Sequence, residues 1–132
     1  MRVVETLPPN YAEIRRYLNP PSDAIFAFGS LLYNPTGKEI PQDVEIHEEV
    51  HGRQMQGYVP EAWWTRYLID REFRQAMELE AYFVQYSWVK SRVPSKVAKL
   101  CLSDLAHNFS SLYNLGITQS QAETLIRKYA IS

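Results

Sequence analysis

Two of the three histidines in this chain of 132 residues lie four positions apart, in the stretch His47-Glu48-Glu49-Val50-His51. Residues at this spacing lie on one face of an α-helix, so both imidazoles can point at one metal ion. A glutamate directly after the first histidine lies near the same face and can reach a water molecule there. The pattern H-E-x-x-H therefore predicts that His47 and His51 are zinc ligands and that Glu48 is a general base.

A zinc site of this kind needs a third protein ligand, and the segment "REFRQAMELEAYF" carries three candidates, Glu72, Glu78 and Glu80. Glu78 and Glu80 are two positions apart, so on one helix they point about 200° from each other and cannot both face the ion. Apolar neighbours favour Glu80, because a buried carboxylate needs a partner or a metal. Polar neighbours favour Glu78, because they could orient a ligating carboxylate. Those neighbours are Arg74, Tyr82 and Gln85.

The candidate ligands fall on two predicted helices. One covers residues 41–57, and a longer one runs from residue 71 to about 91 with Asp70 as its N-cap. Shorter helices are predicted over residues 11–18, 60–69, 96–109 and 119–129. An apolar stripe on the long helix is predicted to face the core, and it consists of Phe73, Met77, Ala81, Val84 and Trp88. Trp63 and Trp64 are predicted to anchor a short helix against that core.

The strands are predicted ahead of these helices. The run "AIFAFGSLLY", residues 24–33, is rich in β-branched and aromatic residues and predicts one or two strands, and residues 38–40 predict a short return strand. Together they indicate a small antiparallel sheet. Residues 1–10 are predicted to form a loose arm, and residues 92–132 a C-terminal helical extension. The expected fold is therefore α+β, in a single domain over residues 1–132.

The composition gives no support for several classes of protein. The net charge is −1, with 45% hydrophobic and 22% charged residues and no run of like charges, which gives no electrostatic basis for binding nucleic acid or an anionic membrane. The start "MRVVETLPPN" has no apolar segment of the signal-peptide type, and Cys101 is the only cysteine. We expect a soluble protein of the cytoplasm, or one associated with a virion if a phage encodes it.

These motifs resemble those of the gluzincins, zinc peptidases in which H-E-x-x-H is followed by a glutamate on a later helix. Similar short zincins occur in bacteria and among phage gene products, with H-E-x-x-H-x-x-Q and then E-x-x-A plus a polar residue. This chain matches over residues 24–86, with "HEEVHGRQ" from His47 to Gln54 and "ELEAY" from Glu78 to Tyr82. The family often has Asp or Asn where this chain has Tyr82. Residues 92–132 lie outside the resemblance.

The resemblance implies that His47, His51 and Glu78 bind Zn²⁺ and that Glu48 is the catalytic base of peptide-bond hydrolysis. A peptide or protein would be the substrate, and the run at residues 24–33 or 38–40 could bind it by strand addition. A second oxyanion donor is expected, and its candidates are His107, Tyr82, Tyr67 and Arg74. The alternative function is a non-catalytic, zinc-stabilised interaction or assembly protein, such as a phage structural component. The complete base at Glu48 favours the enzyme.

Overall fold

The structure, a computed structural model, describes residues 1–129. It is α+β, as the sequence predicts, with six helices and a sheet of three strands among the described residues. In chain order the elements are β1 (Arg2–Val4), α1 (Tyr11–Tyr17), β2 (Phe26–Phe28), β3 (Leu31–Tyr33), α2 (Gln42–Met55), α3 (Pro60–Ile69), α4 (Arg71–Lys90), α5 (Ser95–Ser111) and α6 (Gln119–Lys128). Residues 130–132 of the predicted C-terminal extension lie outside the described residues.

The sheet is mixed, in the order β1-β3-β2. The predicted antiparallel pairing is correct for β2 and β3, which pair through Ala27 and Leu32. It is wrong for the other edge of the sheet, where Arg2–Val4 runs parallel to β3. The prediction of a loose arm over residues 1–10 is therefore wrong for β1. A parallel pairing brings together segments far apart in the chain, so no local turn signal announces it.

The predicted return strand at residues 38–40 does not form. Its segment instead closes a turn around Asn34, whose side-chain amide donates to the carbonyl of Lys38 at 2.7 Å. The backbone N–H of Gly37 also bonds to the carbonyl of Asn34, at 3.1 Å. On the far side of the turn, the N–H of Asn34 bonds to the carbonyl of Val4 at 2.8 Å. The edge of β3 that a return strand would need is thus taken by β1.

The helices begin and end within a few residues of the predicted positions, because their end signals work as expected. Asp70 accepts a hydrogen bond from the backbone N–H of Phe73 at 3.1 Å, which starts α4 directly after α3. Thr118 and Gln121 form a reciprocal capping box at the start of α6. None of the helices in residues 1–129 is both long enough and apolar enough to cross a membrane.

Two hydrophobic clusters lie on either side of the middle of α4. The first cluster gathers β2, β3, α1 and α3 around Trp63, Trp64 and Leu32. The second gathers α5 and α6 around Phe109, Ala106 and Ile126. α4 contributes Phe73 to the first cluster and Tyr82 to the second, and α2 packs along it. The residues of α4 between these two lie at the junction of the clusters.

The side chain of Arg74 connects two backbone segments near this junction. Its buried guanidinium donates to the carbonyls of Tyr67 at 2.9 Å and Leu68 at 3.2 Å, at the end of α3. It also donates to the carbonyls of Tyr113 at 2.8 Å and Asn114 at 3.4 Å, in the loop after α5. Burial lowers the pKa of Arg74. One side chain on α4 thereby joins the end of α3 to the loop after α5.

We predict that Arg74→Leu lowers the free energy of unfolding by about 3 kcal/mol or more, because it leaves several buried carbonyls without a donor. Urea denaturation followed by circular dichroism measures the change. Arg71→Leu is the matched control, since Arg71 is exposed on the same helix and should cost no more than about 0.5 kcal/mol. Equal losses in the two variants would show that the carbonyl contacts of Arg74 contribute little.

Candidate metal centre

Three potential metal ligands meet at the junction of the two clusters. His47 and His51 project from α2 and Glu78 from α4, and one ligand atom from each lies within 4.8 Å of the others. The side chains are almost fully enclosed, with 5%, 5% and 3% of their residue surface exposed, respectively. Nε2 of His47 lies 3.1 Å from Oε1 of Glu78, and Nε2 of His51 lies 3.2 Å from Oε2. The structure thus brings together the three predicted ligands.

The tautomer of His47 follows from a hydrogen-bond chain that starts at Asp43. The side-chain N–H of Gln85 donates to Oδ2 of Asp43 at 2.8 Å, so the amide oxygen of Gln85 faces the other way. That oxygen lies 2.9 Å from Nδ1 of His47. A carbonyl oxygen only accepts, so Nδ1 carries the proton, and Nε2 of a neutral ring holds a lone pair.

A second chain fixes His51 in the same way. The amide N–H of Gln54 donates to the carbonyl of Met77 at 3.0 Å and to Oε1 of Glu80 at 2.8 Å. Its oxygen therefore faces Nδ1 of His51, at 2.9 Å. This again puts the proton on Nδ1 and leaves the lone pair on Nε2.

The two lone pairs and the carboxylate of Glu78 therefore face one another as three acceptors. Neutral imidazoles cannot donate to Glu78 through Nε2 when Nδ1 holds the proton. Among the described residues, the hydrogen-bond donor to this group from outside the two rings is Tyr67, whose hydroxyl donates to Oε2 of Glu78 at 2.5 Å. Buried acceptors without donors are costly, so the arrangement calls for a cation between the three groups.

Protons or a metal ion could supply that positive charge. Burial alone would lower the pKa of His51, but the carboxylate of Glu78 raises it to about 9. Burial would likewise raise the pKa of Glu78, yet the two histidines lower it below its usual range. A proton on Nε2 of His51 would, however, give Glu78 one donor and leave Nε2 of His47 as an acceptor 3.1 Å from the same carboxylate. One divalent ion satisfies all three acceptors.

The donor set suits zinc. Two neutral imidazoles and one carboxylate are a typical set for a catalytic zinc site, which keeps a fourth position open. With zinc–ligand bonds of about 2.0–2.1 Å, neighbouring ligand atoms of a tetrahedron lie roughly 3.3 Å apart. The 3.1 and 3.2 Å separations from Glu78 to the two Nε2 atoms are close to this edge length. Each ligand also has an outer partner that fixes its orientation, as metal ligands commonly do.

Glu48 lies beside this group, on the wall of a cavity of about 440 Å³ that His47, His51 and Glu78 also line. Burial raises the pKa of Glu48, while the two histidines and a backbone hydrogen bond from Ala27 lower it. Within the described residues no side-chain hydrogen bond contributes to that pKa. The carboxyl group predicted as a general base is therefore available to a molecule in the cavity.

The C-terminal third of the chain, outside the family resemblance, helps to build the cavity. Leu105, Asn108, Leu112 and Tyr113 line it from α5 and the following loop. Tyr113 pairs with Tyr82, hydroxyl to hydroxyl, at 2.6 Å. The sequence does not predict these four residues at the site, because none of them belongs to a motif that would assign it there.

The four residues predicted as candidate oxyanion donors differ in their contacts and in their distance from the cavity. Tyr67 is engaged by Glu78, and Arg74 by four backbone carbonyls. His107 is exposed on α5 and does not line the cavity. Of the four candidates, Tyr82 remains: it lines the cavity, and its ring packs edge-on against His47 with centroids 4.5 Å apart.

The strand run predicted to bind a peptide lies at the cavity, but its central residue already has partners. Phe26 and Ala27 line the cavity from β2, the edge strand on that side. The carbonyl of Ala27 accepts from the indole N–H of Trp64 at 3.0 Å. Strand addition at the carbonyl of Ala27 would have to displace this contact.

Comparison with protein-family models, curated proteins and solved structures finds no match to this chain.

The geometry predicts which glutamate binds a metal. Glu78→Gln should weaken zinc binding by more than about 100-fold, beyond the loss typical of an outer partner. Glu80→Gln should change it by no more than about threefold, because the new amide oxygen still accepts from Gln54. Chelator competition on the two variants and the wild type measures both affinities. Loss of zinc in Glu80→Gln with retention in Glu78→Gln would refute the assignment.

Proposed function

We propose that this protein is a zinc-dependent hydrolase that cleaves peptide bonds, with His47, His51 and Glu78 as metal ligands and Glu48 as the general base. The observation that carries the proposal is the position of Glu48. It lines the same cavity as the three ligands, and no side chain within residues 1–129 occupies it with a hydrogen bond. A purely structural metal site has no use for such a carboxylate.

A zinc ion at this position supplies a Lewis acid that polarises a carbonyl oxygen and lowers the pKa of a water molecule to about 7. Glu48 would act as the base towards a water molecule in the cavity, taking its proton as the water oxygen forms a bond to the carbonyl carbon. Glu48 would then return the proton to the amine nitrogen as the carbon–nitrogen bond breaks. Burial raises the pKa of Glu48, which makes its carboxylate a stronger proton acceptor.

The hydroxyl pair of Tyr82 and Tyr113 is our choice for the additional oxyanion donor. In a pair 2.6 Å apart, one hydroxyl donates to the other, so one hydrogen stays free for a substrate oxygen. Both rings line the cavity, and Tyr82 contacts His47. Donors of this type stabilise the negative charge that develops on the carbonyl oxygen.

The lining of the cavity limits the substrate. Its walls are mainly apolar, with side chains such as Ile14, Leu18, Phe26 and Leu105. The charged groups other than the histidines are acidic, namely Asp23, Glu48 and Glu78, and no lysine or arginine lines this cavity within residues 1–129. A substrate α-carboxylate would find no cationic partner, so the cavity suits internal peptide bonds better than C-terminal ones.

The alternative is a zinc-stabilised assembly protein without turnover. Such a protein would use the buried ligands to join α2 to α4 and would not need Glu48. The two functions therefore differ in their dependence on one carboxylate.

Glu48→Gln keeps the shape of the side chain but removes the base. We predict that this variant retains zinc and loses about 10²- to 10⁴-fold in kcat for peptide hydrolysis. Glu49→Gln is the matched control, since Glu49 borders a separate cavity that Met1 and Gly52 also line. It should keep both zinc and activity. Elemental analysis and a fluorogenic peptide library provide the two measurements.

The proposal fails if the wild type, loaded with one equivalent of zinc, cleaves none of a diverse set of peptides and proteins. Activity that survives in Glu48→Gln would also contradict the assigned base. Zinc binding with neither activity nor sensitivity to Glu48→Gln would support the assembly protein.

The cavity lining gives a further prediction. Peptides blocked by N-acetylation and C-amidation should be cleaved at internal bonds at least as fast as the same peptides with free ends, because no cation in the cavity binds a carboxylate. Mass spectrometry of the products locates the cleaved bonds. Cleavage confined to peptides with a free C-terminal carboxylate would contradict this account of the site.

A further inference from the structure

Both ligating histidines are held by an unusual outer partner, a glutamine amide. In the His47 chain, Nδ1 of His47 donates to Gln85, which donates to Asp43, over 2.9 and 2.8 Å. In the His51 chain, Nδ1 of His51 donates to Gln54, which donates to Glu80, over 2.9 and 2.8 Å. Metal-bound histidines usually donate to a carboxylate, a backbone carbonyl or water. Here each imidazole is separated from a carboxylate by one neutral amide.

We propose that Gln85 and Gln54 are positioning residues that hold both histidines with the proton on Nδ1 and the lone pair of Nε2 towards the metal. This inference rests on the proposed zinc site. The carboxylates Asp43 and Glu80 orient the two amides, and the amides orient the two imidazoles. An amide can rotate its oxygen and nitrogen into each other's place, so an acceptor must decide which atom faces the ring. Asp43 does so for Gln85, and Glu80 together with the carbonyl of Met77 does so for Gln54.

The inserted amide also determines the charge of the site. A carboxylate in direct contact with Nδ1 raises the basicity of an imidazole ligand and partly neutralises the metal. A neutral amide holds the same proton without that effect. With two such amides, Glu78 is the only charged ligand, and a bound dication keeps an excess positive charge for polarising a carbonyl. The chains therefore fix geometry and preserve Lewis acidity together.

Both chains cross between the same two helices. The His47 chain runs from α2 to Gln85 on α4 and back to Asp43 on α2, whereas the His51 chain runs from α2 to Glu80 on α4. Gln54 also donates to the carbonyl of Met77, the residue before Glu78. The chains thus fix the distance between the helix with two ligands and the helix with the third.

The experiment compares zinc affinity and the visible absorption spectrum of the cobalt-substituted protein in five forms of the protein. Four of them are the wild type, Gln85→Leu, Gln54→Leu and the double variant Gln85→Glu with Asp43→Asn. The double variant exchanges the amide and the carboxylate, so it keeps both hydrogen bonds of the His47 chain. Gln42→Leu is the control, because Gln42 is exposed at the start of α2.

We expect Gln85→Leu and Gln54→Leu each to weaken zinc binding by roughly 10- to 100-fold, and Gln42→Leu to leave it unchanged. The double variant should bind zinc within about threefold of the wild type, but its cobalt spectrum should shift, because a carboxylate now contacts the imidazole. A role in packing alone would be served equally well by leucine and would leave the spectrum of the double variant unchanged.

The outcomes separate this inference from the proposed function. A wild type that binds no zinc refutes the metal site itself. A wild type that binds zinc, with folded leucine variants of equal affinity, refutes the positioning role only. If the leucine variants do not fold, the double variant decides: a shifted cobalt spectrum with retained affinity supports the positioning role, and an unshifted spectrum overturns it.

Discussion

The structure depends on three acceptors that face one another in a buried place. Each imidazole Nε2 lies 3.1–3.2 Å from the carboxylate of Glu78, and only 3–5% of the surface of each residue is exposed. Repulsion between acceptors is strong in a low-dielectric interior, so this geometry is stable only with positive charge between them. The residues around the three groups are arranged to keep the acceptors in place. Asp43, Gln85, Gln54 and Glu80 fix the rings, and Tyr67 fixes the carboxylate.

This constraint explains the division of the hydrophobic core. α4 buries a polar series, Arg74, Glu78 and Gln85, on the face that a helix of this size normally fills with apolar residues. A continuous apolar core along α4 would leave no room for these groups. The chain instead builds one cluster around Trp63 and another around Phe109, with the cavity at their junction.

Local signals predicted most of the fold, and non-local contacts account for the errors. Asp70 and Thr118 cap helices as expected. His47, Glu48 and His51 lie on one helix, as predicted, and line one cavity. The parallel pairing of Arg2–Val4 has no local signature. On α4, the predicted apolar stripe is only partly correct, since Phe73 and Ala81 are buried but Val84 and Trp88 are only half-buried. The prediction from periodicity assumes that the buried face of a helix is apolar. On α4 the buried face includes the polar residue Glu78, so it is rotated away from the predicted stripe. Tyr113 joins the cavity only through the packing of α5, which no motif describes.

We infer that a bound cation, and not protons on the imidazole rings, holds the three acceptors together. Two-bond ¹H–¹⁵N correlation NMR of the histidine rings tests it directly, with exposed His107 as an internal reference. On addition of one equivalent of zinc, the account predicts that His47 and His51 keep the proton on Nδ1, that Nε2 of both rings shifts as a metal-bound nitrogen, and that His107 does not change. A proton that remains on Nε2 of His47 or His51 in the presence of zinc would contradict this inference.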